Sequence, residues 1–464
     1  MIQQAIAELS LSHFILFIIA VLAVCAFEFV NGFHDTANAV ATVIYTKSLK
    51  PITAVVWSGT WNFIGVWVGG IAVAMSIIHL LPIHEMMSMP EKENIAIVFS
   101  VLLSAIIWNL LTWYFGIPNS SSHTLIGAIL GAGMGFYWMH GGNGINWGKA
   151  QDISLSLLLS PAFGFTAVII VLYVFRYVVK NKEIFKDPAE NDFKPAPWWI
   201  RGILLLTCTL VSFFHGNNDG QKGVGIMMIV LLAILPSYYA LNPDLRYEQL
   251  DGEIVMMKEA AGMNKPGFSS SPYANQLNGL EEISVDIHNI KTADKNSKLQ
   301  TRKRIEVFTK SAKWMLEDPE FIPERADRRT FKQGIAAMKK ATDFAPMEVI
   351  LFISISLGLG TMVGWKRIVV TIGEKIGKSH LTYAQGAAAE LVAAGTIGMS
   401  SGLGLPVSTT HVLSSAVAGS MVGVGGLKNL QRSTITTIAL AWILTLPVSF
   451  AGALGFYYLF HWLL

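Results

Sequence analysis

Two short stretches of this chain hold side chains suited to binding an anion. Pro118-Asn119-Ser120-Ser121-Ser122-His123 and Pro406-Val407-Ser408-Thr409-Thr410-His411 share one pattern: a proline, a spacer, three hydroxyl side chains and a histidine. Proline suits the first turn of a helix, and Ser or Thr suits its cap. Three consecutive hydroxyls beside free backbone N–H groups make a cup of donors, and the helix dipole adds partial positive charge. Two such cups face to face would enclose a tetrahedral oxyanion without any arginine. Ser120, Ser121, Ser122, Ser408, Thr409 and Thr410 are therefore the candidate anion-binding residues. The plainer alternative is that these hydroxyls satisfy backbone groups at a helix break. His123 and His411 would donate to the anion, relay a proton, or brace the cup from behind, and bracing is the plainest of the three.

Asp35 and Asp219 lie between apolar runs, beside small residues and the amides Asn38 and Asn218. A charge at the centre of a bilayer costs at least about 2.5–3.5 kcal/mol. A carboxylate with amide and carbonyl oxygens around it is a hard-cation site, and unwound helices supply such carbonyls. A cation site beside an anion cup is the composition of a cation-coupled anion symporter. Helix capping by the two aspartates is the alternative, and does not exclude cation binding. Lys222 stands three residues after Asp219, on the same helical face. Its ammonium would occupy the place of a bound cation, which favours coupling to protons over sodium. Snorkelling or simple neutralisation of Asp219 would explain it equally. Glu28 and Glu390 are further carboxylates in apolar surroundings. Glu390 is the better candidate proton carrier, and either could instead be the structural partner of a hydroxyl or an amide.

The elements that must position these groups are membrane helices. Of 464 residues, 52% are hydrophobic and 14% charged, with a mean hydropathy of +0.49. Soluble domains carry about 25% charged residues, so an ordinary cytosolic enzyme is excluded. Residues 242–345 hold 17 Lys/Arg and 16 Asp/Glu, whereas the other 360 residues hold 17 and 15. The minority block reads as soluble and the rest as membrane-embedded. Net charge +3 is spread along the chain, so nucleic acid is not an expected partner. Cys25 and Cys208 sit in apolar stretches and read as packing. The N-terminus has no basic segment or cleavage site, so the first apolar stretch reads as a retained span.

Apolar stretches suggest ten to twelve spans, with 199–215 and 220–241 read as two crossings. Arg176, Lys180, Lys182, Lys186, Lys194 and Arg201 mark the linker 176–201 as cytoplasmic. Two crossings later the charged block would also be cytosolic. Inside it, Ile305, Phe308, Ala312 and Met315 recur at helical spacing, as do Phe331, Ile335, Met338 and Ala341. They predict two amphipathic helices in a small helical lobe. The expected division is a first membrane repeat over 1–180, the start of a second over 181–241, the insert 242–345 and the rest of the second repeat over 346–464.

The repeats rest on two alignments. Asn31 to Ala39 matches His215 to Gly223 at an offset of 184, and the hydroxyl motifs match at 288. The difference equals the length of the charged block, so one insertion into the second copy explains both. In this alignment Lys222 replaces Asn38. A looser match joins Thr42–Lys47 to Thr371–Lys375. Duplicated halves with broken helices are typical of secondary transporters, and an odd number of crossings per copy makes the repeats inverted. Inversion places Lys366, Arg367, Lys375 and Lys378 outside, against the positive-inside trend, unless those side chains lie in the protein interior.

The elements GFHDTANA (32–39), HGNNDGQKG (215–223), PNSSSHTLIGA (118–128) and PVSTTHVLSSA (406–416) resemble the paired signatures of the PiT family of inorganic phosphate transporters, and most of all the bacterial low-affinity Pit permeases. TIGEKIGK (371–378) and LTYAQG (381–386) are similar as well. The likeness covers about 1–240 and 346–464. It implies an all-α polytopic bundle of inverted repeats with discontinuous helices, a homodimer in the bacterial inner membrane, and phosphate as substrate. It puts the six hydroxyl residues on phosphate, and Asp35, Asn38 and Asp219 in the cation sites. His34 and Lys222 depart from the sodium-coupled pattern. The bacterial permeases share both departures, couple to protons, and carry phosphate as a neutral divalent-metal complex, so Mg²⁺ or Zn²⁺ would travel with it. No tightly bound cofactor is expected, and no metal-ligand spacing stands out in the sequence. The rival readings are a sodium-coupled phosphate or sulfate transporter, a passive anion channel, and a membrane hydrolase built on a serine with His123 or His411.

Overall fold

The computed structural model describes residues 10–141, 144–191, 195–264, 268, 271–322 and 324–464, with only the backbone of His84, Asn191 and residues 372–374. Lys194 and the N-terminal segment through residue 9, both used in the sequence reading, lie outside the described residues. Among the described residues there is no strand, and a single antiparallel bridge joins Gly377 to Leu430. The chain falls into two compact units.

The larger unit comprises residues 14–83, 90–230 and 345–464. Its first copy contains α1 (Leu11–Asp35), α2 (Ala37–Tyr45), α3 (Pro51–Val68), α4 (Glu91–Tyr114), α5 (Ser121–His140) and α6 (Trp147–Val178). Its second contains α7 (Trp198–His215) and α8 (Gln221–Ile234) and then, after the insert helices α9 to α12, α13 (Met347–Thr361), α14 (Lys366–Glu374), α15 (Tyr383–Gly402), α16 (Thr409–Gly425) and α17 (Arg432–Leu463). Leu11–Tyr45, Glu91–Tyr114, Trp147–Val178, Trp198–Ile234 and Arg432–Leu463 are each long and apolar enough to cross a membrane. The short helix Ala72–Ile78 follows α3 at a 74° bend. Apolar side chains such as Leu158, Ile170, Tyr177 and Ile443 lie exposed on the long helices. They suit a membrane protein whose solvent on that face is lipid.

Two features differ from the sequence expectation. First, 199–215 and 220–241 are not two crossings. α7 and α8 form one helix, Trp198–Ile234, interrupted by a π-helical turn over Gly216–Gly220. A π-turn absorbs an extra residue without ending a helix. Second, Lys366, Arg367, Lys375 and Lys378 are exposed, not interior. Arg367 lies over the rings of Trp113 and Tyr114, 5.2 and 5.0 Å from their centroids, and donates to the Tyr114 carbonyl at 2.5 Å.

The tight packing at the π-turn depends on glycine. A Cβ on Gly216 would stand 2.2 Å from the Asn62 carbonyl oxygen, and one on Gly65 would stand 2.1 Å from that of Phe213. Without side chains at these two points, α3 and α7 press together and Asn62 reaches His215.

The smaller unit holds residues 10–13, 84–89 and 231–344. It contains α9 (Tyr247–Ala260), α10 (Ala274–His288), α11 (Lys295–Met315) and α12 (Arg325–Thr342). Its core is formed by Ile254, Met257, Leu280, Ile283 and the apolar stripes of α11 and α12. Ile305, Phe308, Ala312 and Met315 are buried, as are Phe331, Ile335, Met338 and Ala341. The helical periodicity thus identified the correct face of each helix. Asp294 caps α11 by accepting from the Ser297 N–H at 2.9 Å.

Candidate functional site

Two helical hairpins carry the hydroxyl motifs. α4 and α5 run antiparallel, with Ser120–Ser122 in the connection and at the start of α5, and α15 and α16 do the same for Ser408–Thr410. Each first hydroxyl caps its helix. The Ser120 Oγ accepts from the His123 N–H at 3.1 Å, and the Ser408 Oγ accepts from the His411 N–H at 3.1 Å. The capping alternative is therefore correct for these two oxygens. The remaining four hydroxyls face elsewhere. The hairpin tips touch: Ser122 Oγ donates to the Val407 carbonyl at 2.7 Å, and the rings of His123 and His411 lie 4.5 Å apart.

The two helix defects meet these tips. Asp35 is the last residue of α1, where the chain breaks at Thr36 before α2, and Asp219 lies inside the π-turn. Neither aspartate is an N-cap. Ser121 Oγ donates to Asp35 Oδ2 at 2.9 Å and lies 3.4 Å from Asp219 Oδ2. Thr410 Oγ1 donates to Asp35 Oδ1 at 2.5 Å. The residues three positions after each aspartate reach across to the opposite copy. Asn38 Nδ2 donates to Thr410 at 3.1 Å, and Lys222 Nζ donates to Ser122 at 2.5 Å. Lys222 also pairs with Asp219 Oδ2 at 2.6 Å. The Asn38-to-Lys222 exchange read from the alignment is thus an exchange between equivalent places in the structure.

All of these side chains are buried, Asp219 and Lys222 at 0 and 1% exposure. An unpaired charge at such depth is costly, whereas an ammonium on a carboxylate is tolerated. Lys222 does not snorkel; it neutralises Asp219 in place. Asp219 Oδ1, Asn38 Oδ1 and Thr409 Oγ1 are buried without a hydrogen-bond partner. Each is a polar atom left open to a further ligand.

His34 and His215 belong to the same centre, and the sequence reading assigned neither a role there. His215 Nε2 stands 3.8 Å from Asp35 and 3.7 Å from Asp219, and its Nδ1 lies 2.9 Å from Asn62 Oδ1. His34 Nδ1 is 3.5 Å from Asp35, and its Nε2 is 3.3 Å from Thr112. The signal for His215 was its position four residues before Asp219, one helical turn away. Asp35, His215 and Asp219 bring one ligand atom each within 4.8 Å of one another.

His123 and His411 have bracing surroundings. His123 Nδ1 lies 2.8 Å from its own cap hydroxyl, and His411 stacks on Trp442 with centroids 3.9 Å apart. Glu390 is not part of the cluster. Both its oxygens accept from threonines, Thr42 on α2 and Thr207 on α7, the latter at 2.5 Å. It is buried as a partner of hydroxyls, one of them on Thr42, which stands one turn beyond Asn38. Glu28 accepts from Asn31 at 3.0 Å, and its other oxygen lies where a Cβ on Gly223 would stand, at 2.4 Å.

Comparison with known proteins agrees with this geometry. A family model described as the phosphate transporter family matches residues 31–453. The chain is 38% identical to the low-affinity inorganic phosphate transporter PitA of Escherichia coli K12, over 98% of both chains. It is 28% identical to a probable low-affinity inorganic phosphate transporter of Bacillus subtilis, over 96% of this chain and 97% of that one. Among solved structures it resembles one titled the sodium-dependent phosphate transporter, with a TM-score of 0.56, 20% identity, and coverage of 97% of this chain and all of the other. At that identity the likeness concerns the fold alone. The paired hydroxyl tips, the paired aspartates and the match over nearly the whole chain place this protein in the PiT phosphate transporter family.

Proposed function

We propose that this chain imports inorganic phosphate across the cell membrane as a proton-driven secondary active symporter, by alternating access between its two inverted copies. The substrate rests on the names of the relatives and on the hydroxyl tips, which suit a tetrahedral oxyanion. The coupling rests on one observation, the charge balance of the centre. Asp35 and Asp219 share the hydroxyl of Ser121, and Lys222 supplies one ammonium for the two carboxylates. One more positive charge is needed before the centre is neutral, and a phosphate arriving there adds negative charge. Anion and cation must therefore enter together. His215, between the two carboxylates, is placed to carry that charge as a proton.

Lys222 fills the second copy's cation position with a tethered ammonium, which favours protons over sodium. A phosphate carried as a neutral complex with Mg²⁺ or Zn²⁺ lowers the repulsion further. A hydrolase has no place in a family of transporters, and His123 and His411 pair with a cap hydroxyl and an indole, not with a nucleophile and an acid. We further propose that the protein works as a homodimer in the bilayer of the bacterial inner membrane.

The hydroxyls test the substrate assignment. Thr409→Ala removes a hydroxyl without a partner in this structure, and Ser121→Ala one that would turn from Asp35 to the anion; a hydrogen bond to a charged ligand is worth about 1.5–3 kcal/mol. Phosphate affinity, read from the concentration dependence of labelled uptake in proteoliposomes, should fall on the order of tenfold or more in each variant. Wild-type affinity in both variants would remove the hydroxyl tips from the phosphate site.

A further inference from the structure

Glu93, His140 and His461 meet at the end of the bundle remote from the hydroxyl tips. Glu93 lies in the first turn of α4, His140 is the last residue of α5, and His461 is in the last turn of α17. His140 Nε2 is 3.1 Å from Glu93 Oε2, and His461 Nδ1 is 3.0 Å from each Glu93 oxygen. One ligand atom from each residue falls within 4.8 Å of the other two. The Tyr457 hydroxyl donates to Glu93 Oε2 at 3.0 Å. Glu93 is buried, while the two imidazoles are 23 and 25% exposed.

The geometry points to a divalent transition-metal site of the zinc class, built from Glu93, His140 and His461 and separate from the transport centre. Zinc binds imidazole nitrogen and carboxylate oxygen at about 2.0–2.2 Å, so tetrahedral ligands stand roughly 3.3–3.6 Å apart. The two Glu93–imidazole separations, 3.0 and 3.1 Å, are within a few tenths of an ångström of that spacing, and the two imidazole nitrogens lie within 4.8 Å of each other. Two imidazoles and one carboxylate suit zinc, cobalt or nickel, whereas Mg²⁺ and Ca²⁺ prefer oxygen alone. Tyr457 holds the carboxylate from outside, as partners of metal ligands commonly do. The exposed imidazole edges leave a fourth position open to solvent.

The duplication separates this cluster from transport. At the offset of 288 that aligns the hydroxyl motifs, Glu93 and His140 correspond to Leu381 and Lys428, and His461 and Tyr457 correspond to Tyr173 and Ile169. None of the four has a counterpart in the other copy. The 20 residues of α5 put the cluster about 30 Å along the helix from the Ser121 tip. A metal here would tie the ends of three helices together.

The test uses the full-length protein in detergent without phosphate. One equivalent of Co²⁺ should give the visible absorption of tetrahedral coordination, and Zn²⁺ but not Mg²⁺ should displace it. His140→Ala, His461→Ala and Glu93→Gln should each weaken Zn²⁺ binding by about 10–100-fold or more, with an unchanged size-exclusion profile. Asp35→Asn should leave it intact. Without any variant, Zn²⁺ should protect His140 and His461 from diethyl pyrocarbonate, read by mass spectrometry. Absence of a cobalt band, displacement by Mg²⁺, binding that survives the double histidine variant or is lost in Asp35→Asn, or no protection of the two histidines would overturn the assignment.

Discussion

Lys222→Asn should abolish proton-driven phosphate uptake, or make it depend on sodium. The ammonium sits 2.6 Å from Asp219 and 2.5 Å from Ser122, in a position with almost no exposure. Removing one partner of a buried pair costs about 3–5 kcal/mol, because the other charge remains without compensation. At 1.4 kcal/mol per factor of ten, that is a loss of at least a hundredfold unless another cation takes the ammonium's place. Asn recreates the residue of the first copy, where Asn38 donates to Thr410 in the equivalent contact. The position vacated by the ammonium then suits a small cation beside Asp219. Initial rates in proteoliposomes, with and without inward sodium, decide between loss and sodium dependence. A wild-type rate that ignores sodium would contradict the role given to Lys222.

Asp35→Asn should remove uphill accumulation. Asp35 accepts from Ser121 and Thr410 and faces both His34 and His215. The amide keeps the size and most of the hydrogen-bonding capacity of the carboxylate, so the hairpin tips stay together. What changes is charge: Asp219 and Lys222 alone form a neutral pair, and the centre no longer requires a proton to bind the anion. The ratio of internal to external phosphate under an inward proton gradient should fall to about unity, with a monodisperse, correctly inserted protein. Accumulation equal to the wild type would show that Asp35 does not link the two fluxes.

Much of this centre could be read from residue types at fixed offsets. Ser121, Ser122 and Thr410 meet Asp35, Asn38, Asp219 and Lys222, because each copy brings its motif to the same place and the two places touch, whereas Ser120 and Ser408 cap their helices. Other features depend on contacts that no offset reveals. The Gly216-Asn-Asn-Asp-Gly220 run has low helix propensity and reads as a break, yet packing of Gly216 on the Asn62 carbonyl keeps the helix continuous through a π-turn. Glu390 reads from its apolar neighbours as a proton carrier or a partner of hydroxyls, and the hydroxyls it meets, those of Thr42 and Thr207, come from helices far away in sequence. Glu93, His140 and His461 show no ligand spacing for the same reason. The basic residues near 366–378 seemed to need burial to fit an inverted topology, and they are exposed, with Arg367 resting on aromatic rings.

The central claim is that the phosphate flux is tied to protons through a centre whose second cation position is filled by Lys222. Its most direct test is uptake of labelled phosphate by the unaltered protein in proteoliposomes under separately imposed proton and sodium gradients. Accumulation should follow an inward proton gradient and be indifferent to sodium. Uptake that requires sodium and does not respond to a proton gradient would contradict it.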